Sequence, residues 1–330
     1  MSKLRMTLAC WEYDRTRALQ DGRVQAAGID LNYLNLPVEE TFFRMLRHHE
    51  FDAAEMSLSS YCVSLCGEQR PFIAIPVFPS RFFRHSSIYV HESGGVREPA
   101  DLVGKRVGVP EYQMTAPVWI RGLLADEYGV PVEAVDYLTG GEESPGRPEK
   151  LQLNLPPGIN VQPIGPQQTL NAMLAAGEIQ ALYTARAPSS FYRPGSGVRR
   201  LFRDYPQVER DYFRKTGIFP IMHCVVLRRD LYEQQPWVAQ SLYRAFVEAQ
   251  KLAYADLQET AALKIMLPWI LSHLDETRSA MGADFWAYGF TENRKVIETF
   301  LRYHHAQGLS SRLLQPEDLF APESMESFVI

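Results

Sequence analysis

No stretch of this chain approaches the ~18 consecutive apolar residues that a membrane span needs. The N-terminus, MSKLRMTLACWEYD, has a short apolar run over residues 6–10, broken by Thr7 and followed by Glu12 and Asp14. A secretory signal needs roughly 7–15 apolar residues and a small-residue cleavage site. These absences predict a soluble, cytoplasmic protein. Cysteine is scarce: Cys10, Cys62, Cys66 and Cys224 form no CxxC pair, which argues against a redox or metal motif and predicts buried free thiols. Positive charge is not in excess, the net being −5. That speaks against nucleic acid or an acidic membrane surface as the main partner, while leaving room for a local basic site. Also missing are a Walker P-loop, a GxGxxG turn after a strand, a GxSxG elbow and HExxH. Nucleotide, hydride-transfer and serine-hydrolase chemistry lose ground accordingly.

What is present is an ordinary globular composition, 46% hydrophobic and 22% charged over 330 residues. That length suggests two domains. Short apolar runs at residues 4–10, 29–34 and 51–56 alternate with helical patterns near residues 16 and 38–49, where Phe42, Met45 and Leu46 share one face. Runs at 72–78, 87–90 and 105–109 continue the alternation. A helix opens at Thr115 with Pro117 in its first turn and stops at Gly129. Residues 139–168 are rich in Gly and Pro and read as a long loop or hairpin. Thr169 caps a short helix, and 179–183 is a strand. Residues 218–227 form another apolar run, Pro236 opens a long helix, and a last helix runs from Glu292 to about Ala306.

Repeated strand–helix–strand units imply an α/β fold with mainly parallel sheets. The simplest arrangement is two α/β lobes with the second inserted into the first. Lobe 1 would comprise residues 1–90 and 200–330, lobe 2 residues 91–199, with a hinge near 86–92 and 195–220. Ligands in such sheets sit beyond the carboxyl ends of the strands, which directs attention to residues 13–15 and 55–59.

The densest chemistry lies in SRFFRHS, where Arg81, Arg84 and His85 fall within five residues. Arginine pairs bidentately with carboxylates, and two phenylalanines make a fully solvated turn a poorer reading. Glu111, Tyr112 and Thr115 follow a strand and open a helix, an arrangement that can receive an anion. His223 interrupts an apolar strand run, where a satisfied core histidine is the plain alternative. Arg15, with Asp14 and Glu12, and Arg186 follow strands and could equally be salt-bridged loop charges. Glu142 and Glu143 read as solvated, and His48, His49, His304 and His305 as surface groups.

Several segments together carry a family resemblance: WEYDRT, EFDAAEMSLSSY, PSRFFRHSSIYVH, GKRVGVPEYQMTAPVWIRGLL, the GG-E-PGR loop, TGIFPIMHCVV and DFWAYG. They are spread from residue 11 to residue 289 and resemble the 4,5-dihydroxyphthalate decarboxylases. More broadly they are similar to two-lobed solute-binding proteins of the periplasmic-binding-protein-like type II fold. The resemblance implies that fold with a central ligand cleft. It also implies non-oxidative loss of carbon dioxide from a small aromatic dicarboxylate, giving 3,4-dihydroxybenzoate. On that reading Arg81, Arg84, Arg15 and Arg186 would hold carboxylate. His85, His223 and Glu111 would exchange protons, and Ser57, Tyr112 and Thr115 would hydrogen-bond substrate. No cofactor is required by it, although His and Glu together could hold a divalent metal. A non-catalytic binding protein and a decarboxylase of a related hydroxylated acid are the alternatives. Apolar C-terminal helices leave room for a homo-oligomer.

Overall fold

The computed structural model describes residues 2–149 and 155–325. The chain folds into two compact units. One is Met1–Arg81 with Ile221–Ile297 and Gln315–Ile330; the other is Phe82–Pro220 with Glu298–Leu314.

The first unit starts with β1 (Leu4–Ala9), α1 (Asp14–Gln20), β2 (Ile29–Leu34), α2 (Val38–His48), β3 (Ala53–Ser57), α3 (Leu58–Leu65) and β4 (Phe72–Arg81). The second contains β5 (Ile88–His91), β6 (Arg106–Val109), α4 (Thr115–Tyr128), β7 (Asp136–Thr139), β8 (Asn160–Pro163), α5 (Leu170–Ala175), β9 (Ala181–Tyr183), β10 (Val198–Arg200) and α6 (Tyr205–Thr216). The chain then returns through β11 (Ile221–Arg228), α7 (Arg229–Gln234), α8 (Trp237–Leu257), α9 (Ile270–Met281), α10 (Phe290–Ala306) and α11 (Pro322–Met325).

The sheet of the first unit has the order β2-β1-β3-β11-β4. Strands β1, β2 and β3 run parallel, while β11 lies antiparallel between β3 and β4. All five residues of β3 are buried, as a strand covered on both faces requires. The Ser-rich run after β3 forms α3, with Ser59 and Ser60 buried.

The sheet of the second unit has the order β10-β5-β9-β6-β7-β8. Here β6, β7, β8 and β9 are parallel, and β5 is antiparallel to both its neighbours. Its core gathers Tyr89, Leu170, Leu174, Ile179 and Leu182. The Gly- and Pro-rich stretch contains β8, which pairs parallel to β7 and so does not make a hairpin; residues 150–154 lie outside the described residues. The segments read as a hinge are also built into this sheet, since β5 pairs with β10 from Val198↔His91 to Arg200↔Tyr89. The unit boundaries therefore fall after Arg81 and Pro220, not near residues 90 and 200, and residues 298–314 return to the second unit.

His304, read as a surface group, is fully buried and bonded through Nδ1 to the Ser310 hydroxyl. Among the described residues no helix is long and apolar enough to cross a membrane. The four cysteines are free, three of them buried.

Helix α4 is buried on every side from Thr115 to Leu124. Gly122 lies directly against the Tyr303 ring, and a Cβ there would overlap that ring. Tyr303 is held in place by its bond to Asp126 (2.7 Å) and by edge contact with Trp119. Replacing Gly122 by alanine should therefore lower stability by about 1–3 kcal/mol despite the better helix propensity of alanine. Urea unfolding of the two proteins measures this; equal midpoints would show that Tyr303 yields freely.

Candidate functional site

The first unit places a carboxylate where a strand should be apolar. Glu55 is fully buried at the centre of β3. In the β3–β11 register Glu55 faces Val225 and Ser57 faces His223, so Glu55 and His223 are diagonal neighbours on one face. His223 Nδ1 lies 2.6 Å from Glu55 Oε1, and the Tyr13 hydroxyl donates to the same oxygen at 2.7 Å. The other oxygen accepts from the Trp11 backbone N–H at 3.1 Å and from the Cys10 thiol at 3.6 Å.

Burial by itself would push the Glu55 carboxyl up. The His223 hydrogen bond and charge, with the Tyr13 and Trp11 donors, outweigh it and hold the group below its usual value. Burial, reinforced by the Glu55 charge, pushes the Tyr13 phenol and the Cys10 thiol up, so both remain protonated donors. An ionised Glu55 accepts from Nδ1–H. That bond leaves Nε2 as the ring nitrogen not engaged by Glu55, and the His223 side chain keeps 17% of its surface exposed.

The donors are fixed by the turn between β1 and α1. Tyr13 is the N-cap of α1, its N–H donating to Thr16 Oγ1 at 3.2 Å. The Tyr33 hydroxyl donates to the Trp11 carbonyl at 3.0 Å. Arg15 is stacked between the Tyr13 and Trp286 rings, 4.2 and 4.1 Å from their centroids. Its Nε donates to the Pro79 carbonyl at 2.7 Å and its Nη1 to Asp14 at 2.9 Å. Ser57, buried beside His223 in register, is the N-cap residue of α3. These residues, Arg15, Ser57 and His223, are the expected site groups that the first unit brings together around Glu55. Arg81 is in the same unit but is tied to the 287–293 segment, donating to Ala287 (2.7 Å) and to Asn293. Burial draws its guanidinium down to about 10.

The remaining expected residues lie in the second unit. His85 is fully buried, with Tyr212, Phe202 and Tyr128 rings around it at 5.1, 5.3 and 6.1 Å. Neither ring nitrogen has a hydrogen-bond partner among the described residues. Burial pulls the imidazole down to about 4, so it stays neutral at pH 7. Arg84 is buried under Phe82 and reaches Ser87 and the Ala185 carbonyl at 3.4 and 3.5 Å. Burial lowers it to about 9.

Beyond the ends of the parallel strands β6, β7 and β9 stands a second group of ionisable residues. Glu111 is buried and paired with Arg147, whose Nε and Nη2 lie 2.7 and 2.5 Å from Oε1. The Tyr112 N–H donates to Glu149 at 2.5 Å, and its ring carries the Arg121 guanidinium at 3.9 Å. Thr115 is the first residue of α4, with Met114 as its N-cap. The Arg186 N–H donates to Thr184 Oγ1 at 3.3 Å, and the Thr184 hydroxyl donates to Glu142. Glu142, read from sequence as solvated, is half-buried instead. Burial pushes it up to about 7 against the Thr184 hydrogen bond, and Glu149 behaves in the same way.

Sequence reasoning passed over Glu55, Tyr13 and Glu142 as site members. One signal was available for Glu55: an ionisable residue inside a fully buried apolar strand must have partners, because an unpaired buried charge is prohibitively costly. Among the described residues no group of three or more His, Cys, Asp and Glu is arranged to hold a metal ion.

No family model matches the chain. Among solved structures it is similar to the periplasmic aliphatic sulphonate binding protein of Escherichia coli. That match has a TM-score of 0.55 and 12% identity, over 97% of this chain and 98% of that one. It is also similar to the alkanesulfonate-binding protein of Xanthomonas axonopodis pv. citri, with a TM-score of 0.52 and 12% identity over 98% of both chains. These likenesses establish the periplasmic-binding-protein fold. A curated 4,5-dihydroxyphthalate decarboxylase of Pseudomonas putida is 44% identical over 65% of this chain and 83% of its own length. A protein of the same name from Comamonas testosteroni is 46% identical over the full length of both chains. With sequence agreement of that extent, the chain belongs to the 4,5-dihydroxyphthalate decarboxylase family.

Proposed function

We propose that this protein is a carboxy-lyase that converts 4,5-dihydroxyphthalate to 3,4-dihydroxybenzoate and carbon dioxide, with His223 and Glu55 as its proton-handling pair. The observation that carries the site assignment is the buried, ionised Glu55 bound to His223 Nδ1 at 2.6 Å. Full-length relatedness to decarboxylases of that substrate supports the reaction.

Each carboxylate of the substrate is para to a hydroxyl. When the hydroxyl proton passes to solvent water, electron density moves through the ring to the carbon that bears the carboxylate. That carbon takes a proton from Nε2–H of the His223 imidazolium. The bond to the carboxylate then breaks, its electron pair returns to the ring, and carbon dioxide departs as aromaticity is restored. The phenolate left behind and the His223 ring each regain a proton from solvent, so that one proton is consumed net for each carbon dioxide released. Glu55 matches the imidazolium charge and fixes which nitrogen faces the substrate, much as a carboxylate orients histidine in other acid–base pairs. Arg15, already stacked on two rings, supplies the cation for the retained carboxylate. On this reading the sequence uses protein groups alone and runs in the cytoplasm, a compartment that four free thiols support.

Incubation with 4,5-dihydroxyphthalate should yield equal amounts of 3,4-dihydroxybenzoate and carbon dioxide, before and after treatment with a chelator. Binding without turnover would sink the enzyme reading; loss on chelation with rescue by a divalent ion would sink the metal-free sequence. His223→Gln should lower kcat by about 10²–10⁴-fold with a smaller change in KM. An unchanged kcat would remove His223 from the chemistry.

Glu55 also sets an acid limit on stability. A carboxyl lowered in the folded state stabilises the fold above its unfolded pKa, roughly 4.3, and that contribution disappears as pH falls through the folded value. Glu55→Gln should thus cost about 1–3 kcal/mol near pH 7 and flatten the fall in stability below pH 5. Urea unfolding from pH 3 to 7 reads both; parallel curves for the two proteins would contradict the assignment.

A further inference from the structure

Between α9 and α10 the chain is held by a dense set of hydrogen bonds at residues 286–289. The Trp286 N–H donates to the Tyr254 hydroxyl at 2.9 Å, and the Trp286 carbonyl accepts from Gln250 at 2.7 Å. The Trp286 indole N–H donates to the Phe78 carbonyl at 3.0 Å. The Ala287 carbonyl accepts from Arg81 at 2.7 Å and from Asn293 at 3.0 Å. Gly289 donates to the Pro76 carbonyl at 2.9 Å and accepts from Asn293 at 2.8 Å. One group in this segment is left out. Tyr288 is only 5% exposed, and its hydroxyl is shielded from water with no hydrogen-bond partner among the described residues. A buried, unpaired hydroxyl works against the fold, so its place in an otherwise well-bonded segment calls for a reason.

The surroundings of that hydroxyl supply one. The charged and polar groups that act on it are Arg15, Cys10, Arg81 and Asp14. Cys10 is the thiol that donates to Glu55, and Arg15 stacks on the Trp286 ring, two residues before Tyr288. Burial keeps both the phenol and the Cys10 thiol protonated. Two arginines therefore face one aspartate around an O–H donor, a net positive setting that suits an anion. Arg15 engages Pro79 through Nε and Asp14 through Nη1, while its Nη2 has no hydrogen-bond partner among the described residues. Its side chain keeps 16% of its surface exposed, which gives an incoming anion a way to reach it. We propose that Tyr288 is a further substrate-binding residue, whose phenol O–H joins Arg15 Nη2 in gripping the carboxylate that survives the reaction, an assignment that rests on the role given above to Arg15. The phenol turns toward the carboxylate as it docks, so a shielded and unpaired donor becomes a paired one only in the complex. A charged acceptor makes that bond stronger than one between neutral groups, and two donors held side by side favour a carboxylate over a phenol of the same ring.

Calorimetric titration of the full chain tests the grip with three ligands: phthalate, which has two carboxylates and no hydroxyl, 3,4-dihydroxybenzoate, which keeps one carboxylate, and catechol, which has none. Tyr288→Phe should weaken the binding of both acids by about 10–100-fold and leave catechol within about twofold. The KM for 4,5-dihydroxyphthalate should rise by a similar factor, with a smaller change in kcat, because the retained carboxylate is held alike before and during the reaction. The hydroxyl has no partner in the free protein, so the unliganded variant should melt no lower than wild type. Lost affinity in a variant that is no less stable cannot come from a damaged fold. Equal affinity of the two proteins for the acids, an equal loss for catechol, or a lower melting temperature of the unliganded variant would overturn the proposal. So would a wild-type protein that binds neither acid. Weakened binding of the acids by Tyr288→Phe, in a protein that releases no carbon dioxide from 4,5-dihydroxyphthalate, would uphold the grip and refute the reaction alone.

Discussion

The buried carboxylate of Glu55 constrains everything at its end of the first sheet. A charge with no water around it must collect enough donors to remain ionised. Four converge on it: the imidazole of His223, the phenol of Tyr13, the backbone of Trp11 and the thiol of Cys10. Each comes from a different local cause. Cys10 and Trp11 follow directly from the end of β1, parallel to β3, Tyr13 caps α1, and His223 arrives on an antiparallel strand. Satisfying the acid therefore fixes the first turn of the chain, the entry of α1 and the register of β11. The stacked Arg15 depends on the same turn, since one of its two rings is Tyr13.

The second unit handles its charges differently. Glu142 and Glu149 are half-buried acids with fewer donors, and burial brings both near neutrality. Glu111 has a full arginine partner in Arg147. One α/β plan thus holds a firmly ionised acid in one unit and two acids poised near pH 7 in the other. The difference lies in the number and kind of donors, since Glu55 is the more deeply buried and is nonetheless the one held ionised.

Most strands were legible because apolar runs of four to eight residues bounded by Gly, Pro or polar turns admit few other readings. What escaped was decided by neighbours remote in sequence. His85 stands beside two arginines in the sequence and reads as reactive, yet Tyr128, Phe202 and Tyr212 close around it in space. Strand β8 carries little apolar signal, being largely exposed at the edge of its sheet. Glu55 was within view as a strand-end region, but its role depends on a histidine 168 residues away.

That separation has a consequence for how the molecule comes into being. The sheet order β2-β1-β3-β11-β4 leaves a vacant lane between β3 and β4 until residues 221–228 are made. A nascent chain that has emerged only through β4 holds two unpaired strand edges and an acid short of its histidine. Both conditions oppose closure of the first sheet. The amino-terminal quarter of the polypeptide is therefore a client of its own later sequence, and the first unit matures only after the second has been synthesised.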